Sequence, residues 1–571
     1  MTEAIDHNRQ GQGAGAPMAA VIKASWLPMV IIALAQIQLG FNVNALTISM
    51  GAIVEDLQVP PAMVGTALVV YSLAVAGLVM LGAKIGRMIG SRLAFQIGIA
   101  AQAAAMAVMA LAFNAELMLL AQAIAGIAAA LAVPAFVVMI ANYYHAAQQE
   151  QSLGLLGAAQ ASSSALAFLV VGFMSMVVSW RWAFAMLVVV GAIIVILSFR
   201  LEVIEPRKGI RIDWLGAILA AAAVTLISLG FNSISAWGLL VAQPDAPFDM
   251  AGMSPAPLMI IAGVVVGQAF FTWMRRQRAN EKPTLFAIET LDTPKERSAT
   301  FALLVIAAVG PAVNFLLPLY IQIVQGRTTM ETAIAIVPYA VAIFIGATFV
   351  VRVYGTLSPR QIGRYGFGMV AVGVIVLAYT INNEWGTPMV VVSLLVIGLG
   401  EGSLLTLMFN ILVSASPKEL SGDVGALRGT VNNLATGLGT AIASLLAIAA
   451  LGIIVNTTVK ESPVIPPSLV DQMELDTVDF IDNDELEAVL EQETTATDAQ
   501  IKEAVRINTD ARLHALKISF QVLAGLALLG IIPAGGLPPY RRGEIPTDLN
   551  VGKSDATEEE RSPPPPGPAG D

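Results

Sequence analysis

The chain has 571 residues, 56% of them hydrophobic and only 13% charged, with a mean hydropathy of +0.74. Soluble domains carry about 25% charged residues, so this composition excludes a soluble enzyme, a secreted disulfide scaffold and a disordered chain. The net charge of -10 sits mostly in one loop and the C-terminal tail, which gives no reason to expect a nucleic-acid partner.

In chain order, residues 1–24 are polar and lack the basic-then-apolar layout of a cleaved signal peptide, so they read as an N-terminal tail. Apolar blocks then recur, most of them near the roughly 20 residues that cross a bilayer. They run approximately 25–49, 61–83, 93–113, 117–141, 154–176 and 182–199, then 213–235 and 256–274, then 300–323, 331–352, 365–381, 388–412, 424–455 and 516–534. Runs of Ala and Gly, such as Leu93 to Phe113, let helix backbones approach closely. Between these blocks lie a charged linker, Met274 to Thr300, and an acidic stretch, 456–515. Within the latter, Asp482 and Glu485 have the spacing of a helix N-terminus, and a second helix is expected from Asp498 to Ala515. Its acids, Asp479 to Glu493, lack the alternation and central Gly of an EF-hand. Residues 535–571 end in a Pro-rich run and are expected to be disordered.

Lys and Arg set the orientation. With the N-terminus in the cytoplasm, 23 basic residues fall on the cytoplasmic side and 7 outside, leaving Arg428 within a span. Both termini are then cytoplasmic and 456–515 is an extracytoplasmic loop. The expected location is the cell membrane, the bacterial inner membrane in particular.

Chemistry-bearing residues are few. There is no cysteine, and His7, His145 and His514 all lie outside the apolar blocks. No catalytic group, cofactor or metal site is expected, and the chain does not read as an enzyme.

Two basic loops look alike: Ala83-Lys-Ile-Gly-Arg-Met-Ile-Gly-Ser-Arg92 after span 2 and Gly355-Thr-Leu-Ser-Pro-Arg-Gln-Ile-Gly-Arg364 after span 10. If each follows the second helix of a bundle, the chain is an all-α polytopic protein of two six-helix bundles. Residues 25–199 form the first; spans 9–13 (300–455) and span 14 (516–534) form the second; two inserted helices and linkers occupy 200–299. Paired halves of this kind mark secondary transporters. The loop residues Arg87, Gly90, Arg92, Arg360, Gly363 and Arg364 are the candidate gating positions.

Several stretches resemble the major facilitator superfamily, specifically its fourteen-helix drug:proton antiporter group. They are Ser179-Trp-Arg-Trp-Ala-Phe184, Asp213-Trp-Leu-Gly216, Leu317-Pro-Leu-Tyr-Ile-Gln-Ile-Val-Gln-Gly326 and the Gly-rich run from Gly425 to Ile442. The resemblance implies a substrate path between the bundles, alternating access and proton-driven export. This chain departs from the group where protons are handled. Asn42 stands where span 1 usually has an acid, Arg87 where the loop motif has Asp, and Gln122 where span 4 has Arg; Pro134 matches. Asp to Asn removes a titratable carrier, and Arg to Gln removes the charge that would tune it.

Of the polar residues that remain in the spans, Glu401 is the only acid deep within one, and an intramembrane acid is a functional candidate by default; the alternative is a structural Glu, protonated or bonded to a neighbouring helix. Arg428 lies one turn into span 13, where a snorkelling arginine is the plainer reading. Asn42, Asn44, Gln122, Asn314, Tyr320, Gln322 and Asn432 are candidates for the cavity wall or for helix-to-helix bonds. Of Asn432 and Asn433, only one is expected to face the centre. The leading expectation is a monomeric secondary transporter in the lipid bilayer that exports a lipophilic or amphipathic small molecule, uncharged or weakly cationic. Its cavity should be lined by Ala, Met and Ser, and protons are a second candidate partner. The alternative is a receptor or scaffold that keeps the fold without transport.

Overall fold

The computed structural model describes residues 25–59, 61–207, 209–243, 246–249, 252–285, 293–353, 356–383, 388–415, 420–470, 483–494 and 496–539. The tail 1–24 and most of the Pro-rich tail lie outside them, as do the loop acids Asp479 and Asp482. Fourteen helices among the described residues are long and apolar enough to cross a membrane. We number them α1 (Leu27–Ile48), α2 (Pro61–Ile89), α3 (Ser91–Ala110), α4 (Ala115–Tyr143), α5 (Ala146–Val177), α6 (Trp180–Ser198), α7 (Trp214–Asn232), α8 (Pro255–Ala279), α9 (Pro294–Leu319), α10 (Thr329–Val353), α11 (Pro359–Thr380), α12 (Pro388–Ala415), α13 (Ser421–Glu461) and α14 (Asp498–Leu529). A π-helical turn, Tyr320–Val324, continues α9. No named strand occurs among the described residues, only one isolated bridge between Val241 and Met253.

Local chemistry fixes the helix starts. The Asp213 carboxylate accepts the Gly216 N–H at 2.9 Å and the Trp273 indole N–H at 3.0 Å, so it caps α7 and ties it to α8. This accounts for the acid in Asp213-Trp-Leu-Gly216. Reciprocal capping boxes start α9 (Thr293 with Glu296) and α11 (Ser358 with Gln361), each followed by Pro at the first helical position. Within Ser179-Trp-Arg-Trp-Ala-Phe184, Arg181 pairs with Asp56 at 2.6 Å and donates to the Ala110 carbonyl. Trp180 donates its indole N–H to the same Asp56. That motif therefore locks the far end of α6 to α3 and to the short helix Met50–Leu57.

Glycine sets the close packing inside each half. A Cβ on Gly126 of α4 would lie 2.6 Å from the Tyr71 carbonyl of α2, and one on Gly398 of α12 would lie 2.6 Å from the Tyr339 carbonyl of α10. The α2–α4 and α10–α12 pairs are thus built alike, as expected of two halves of one design. The basic loops are also docked alike. Arg92 donates to the Phe199 carbonyl at 3.0 Å, just beyond α6, and Arg360 donates to the Leu537 carbonyl at 3.1 Å, just beyond α14. Gly90, at φ +94°, leaves room for the Ile204 carbonyl, and Gly363 for the Leu537 side chain. Arg364 lies against Gly535. Leu537 is fully buried, so the start of the expected disordered segment 535–571 is instead packed on α11.

Helices α7 and α8 pack on each other through Gly230 and Gly263. Helix α7 also touches α2 at Gly77 and α13 at Gly437, so the inserted pair flanks the seam between the halves.

The described residues of the expected outer loop, 456–515, are mostly helical. Helix α13 runs to Glu461 and α14 starts at Asp498. Forty-one residues make α13 about 60 Å long, against about 30 Å of bilayer hydrocarbon. The helix expected from Asp498 to Ala515 is the first part of α14, and a short helix runs Asn483–Glu493. Together they enclose a separate apolar core that includes Val455, Leu469, Leu490, Ile501 and Ile507. A polar average conceals this core because its apolar residues are spaced at helical intervals on several short elements.

Candidate functional site

The two halves meet along α2–α13, α4–α13, α5–α10 and α5–α12. At the end carrying the basic loops the seam is tight. Arg87 Nη2 of α2 lies 2.8 Å from Asp423 Oδ1 of α13, and both side chains are largely buried. One turn further in, a Cβ on Gly425 would lie 3.0 Å from Val137 Cγ2 and 3.2 Å from Pro134 Cα of α4. Gly429 stands equally close to Val79 of α2. The Gly-rich start of α13 thus gives a flat face on which the first half rests.

Above this closure lies a partly open cavity in two lobes of about 140 and 270 Å³. The lobes share the wall residues Gln160, Ser164, Pro311, Asn314, Asn432 and Thr436. Its wall carries the expected Ala and Ser (Ala129, Ala307 and Ser163 among them) together with the amides Gln160, Asn314 and Asn432, but no methionine among the described residues.

The smaller lobe contains Glu401. Tyr339 of α10 donates its hydroxyl to Glu401 Oε2 and lies 3.4 Å from the Asn314 amide nitrogen. Gly310 of α9 has no side chain there; a Cβ would collide with Glu401 Oε1. On the far side of α12, Gly400 packs on the backbone of Gly366 and on Val370 of α11, which bring no charge. The carboxyl therefore has a tyrosine hydroxyl as its side-chain partner and opens onto the cavity.

The larger lobe contains Arg428. It does not turn back to the membrane surface as a snorkelling side chain would. Its Nη2 donates to Gln160 Oε1 of α5 at 2.9 Å, and its guanidinium lies 4.4 Å from the Phe409 ring centre of α12. Asn44 accepts the Ser164 hydroxyl at 3.1 Å, joining α1 to α5. Asn432 and Asn433 both line this lobe, where one was expected, on the same face of α13 as Arg428, Gly429 and Thr436.

The structure does not bring the other candidates to the cavity wall. Asn42 and Gln122 are fully buried and bonded to each other twice, at 3.0 and 3.2 Å. A neutral amide pair thus occupies the place where the resemblance expects an acid and an arginine. Tyr320 is 1% exposed and accepts the Asn382 N–H at 3.2 Å, holding the turn after α9 to the end of α11. Gln322 is half-buried on that same turn. Sequence reading missed Gln160, Tyr71, Tyr339 and Asp423. Asp423 was the most accessible of these, as an acid at a span boundary facing a basic loop.

The family model of the Major Facilitator Superfamily matches residues 31–440. The chain belongs to the major facilitator superfamily. It is a multi-pass membrane transporter and not an enzyme. It is 24% identical over 451 residues to the probable actinorhodin transporter of Streptomyces coelicolor, covering 77% of this chain and 75% of that protein. It is 24% identical over 515 residues to the multidrug efflux pump LfrA of Mycolicibacterium smegmatis, covering 89% and 96%. Among solved structures, the proton:xylose symporter XylE superposes with a TM-score of 0.54 at 11% identity, covering 89% of this chain and 94% of that one. That likeness is one of fold.

Proposed function

We propose that this major facilitator protein is a secondary transporter that exports an amphipathic small molecule by alternating access, with its basic end and both termini in the cytoplasm. The observation that carries the reading is a cavity of mixed polar and apolar wall at the seam of two like halves, shut at the basic end by Arg87–Asp423 and by Gly425 against Pro134. A cavity shut at one end, between halves that can rock, can exchange solute with one side at a time. Relatives named as an antibiotic transporter and a multidrug efflux pump support drug-like cargo leaving the cell. One chain supplies both halves, so a monomer suffices. The bacterial inner membrane is the expected location.

Glu401 is the proposed coupling group. Asn42 and Gln122 leave the first half without a proton carrier at the usual place, whereas Glu401 is buried, titratable and open to the cavity. Among the described residues, the titratable or charged groups around the two lobes are Tyr339, which bonds to it, and Tyr71 and Arg428 in the larger lobe. A carboxyl that takes a proton when the cavity faces one side and releases it when it faces the other links flux to a pH gradient.

The test is reconstitution into liposomes with a panel of amphipathic dyes, ethidium among them, with and without a pH gradient. Protein-dependent flux driven by the gradient is expected. Specific binding without flux of any compound would return the receptor or scaffold reading.

A further inference from the structure

Arg428 is a cation in a cavity without a matching anion. Its side-chain partners are the neutral amide of Gln160 and the ring of Phe409. Among the described residues no carboxylate pairs with it. Glu401 lies on the wall of the neighbouring lobe, bonded to Tyr339, and the Asp423 carboxylate is engaged by Arg87 at the closed end. Arg428 lines the larger lobe and keeps part of its surface accessible there. An arginine holds its charge at any physiological pH. Within such a lobe, an amide oxygen and a ring face compensate that charge less well than an oxyanion does.

We propose that the larger lobe receives the oxyanion of an amphipathic organic anion on Arg428, with the apolar body of the molecule along Leu39, Val43 and Val75. This rests on the transporter reading and names its cargo class; it replaces the uncharged or weakly cationic solute expected from the sequence. The position of Arg428 adds a mechanism. It sits on α13 of the second half and bonds to Gln160 on α5 of the first. A carboxylate, sulfate or phosphate that takes the guanidinium in a bidentate grip displaces Gln160 and removes a bond between the halves. Binding of the anion thereby loosens the seam that must part for transport. An oxyanion on an apolar body is the shared chemistry of a soluble amphiphile and an anionic lipid.

The test uses 11-(dansylamino)undecanoic acid and its methyl ester, read by dansyl fluorescence on the full chain in phosphatidylcholine nanodiscs. The wild type should bind the acid at least about tenfold more tightly than the ester, the scale of a charge-assisted hydrogen bond. Arg428→Gln should remove that preference without weakening the ester, Arg428→Lys should keep part of it, and Gln160→Ala should leave it intact or increase it. Phosphatidylglycerol in the nanodiscs will displace the acid if the natural occupant is a lipid headgroup and will leave it bound if it is a soluble amphiphile. Equal binding of acid and ester, a preference that survives Arg428→Gln, or binding of neither probe overturns the proposal. Protein-dependent flux of ethidium or the ester in liposomes, with none for the acid, overturns the anion site while the transporter reading stands. Selective acid binding with no flux of any probe does the reverse.

Discussion

Arg87 of the first half and Asp423 of the second form an ion pair at 2.8 Å across the seam, close to where the α2–α3 loop begins. It joins two elements that alternating access must separate, so it biases the state closed at the basic end. Removing one partner of a largely buried pair costs about 3–5 kcal/mol, because the other charge stays behind.

Arg87→Gln is therefore expected to move the population towards the state open at the basic end. The chain has no cysteine, so Val138→Cys with Gly422→Cys reports closure directly; a Cβ on Gly422 lies 3.4 Å from Val138 Cγ2. Crosslinking of that pair should fall several-fold in Arg87→Gln and recover in the charge swap Arg87→Asp with Asp423→Arg. Unchanged crosslinking in the single variant would mean the pair does not hold the seam.

Gly425→Val should act in the same direction by shape alone. The new side chain meets Val137 and the Pro134 backbone, which belong to a helix and cannot withdraw as a flexible tip can. The expected outcome is an inserted, folded protein whose crosslinking is reduced and whose flux is lost. Normal flux in Gly425→Val would place the moving contact elsewhere.

Topology is tested at two exposed positions. Ala279→Cys at the end of α8 should react with a membrane-impermeant maleimide only after permeabilisation, and Glu487→Cys on the short helix Asn483–Glu493 should react in intact cells. The reverse pattern would invert the assignment of the basic end.

The extension beyond α13 and α14 is expected to unfold separately. Leu490 is 4% exposed and packs with Leu469, Ile501 and Val455. Leu490→Asp leaves a buried site unfilled and places a charge in it, a loss of about 3–5 kcal/mol. Limited proteolysis should then cut between Glu461 and Asp498 while the membrane helices stay intact. Resistance equal to the wild type would show that the extension draws its order from elsewhere.

The spans were legible because roughly 20 apolar residues satisfy a bilayer whatever they touch, and the paired basic loops made the two halves readable. Glu401 stood out because an acid inside an apolar run is costly to bury unpaired, whether it serves function or structure. Partners were not legible. Asn42 and Gln122 look like wall residues one at a time and prove to be a closed pair, because an amide supplies both donor and acceptor to another amide. Arg428 reads as an interfacial arginine from its depth, yet Gln160 and Phe409 come to it from two other helices. The core of the extension was hidden because short elements contribute one or two apolar residues each.

Gly310→Ala tests whether the position of the Glu401 carboxyl matters as well as its charge. The added methyl takes the space of Oε1, and the flexible end of Glu401 can swing away, so folding should be kept. Gradient-driven flux should fall at least several-fold with substrate exchange retained. Unaffected coupling would show that the carboxyl works from any nearby position.

The most direct measurement is gradient-driven flux through Glu401→Gln in proteoliposomes, set beside exchange of the same solute at equal pH on both sides. The substitution keeps size and an acceptor for the Tyr339 hydroxyl and removes the exchangeable proton. The expected result is normal exchange with no response to the pH gradient. Flux in Glu401→Gln with the wild-type pH dependence would contradict the assignment of Glu401 as the coupling group.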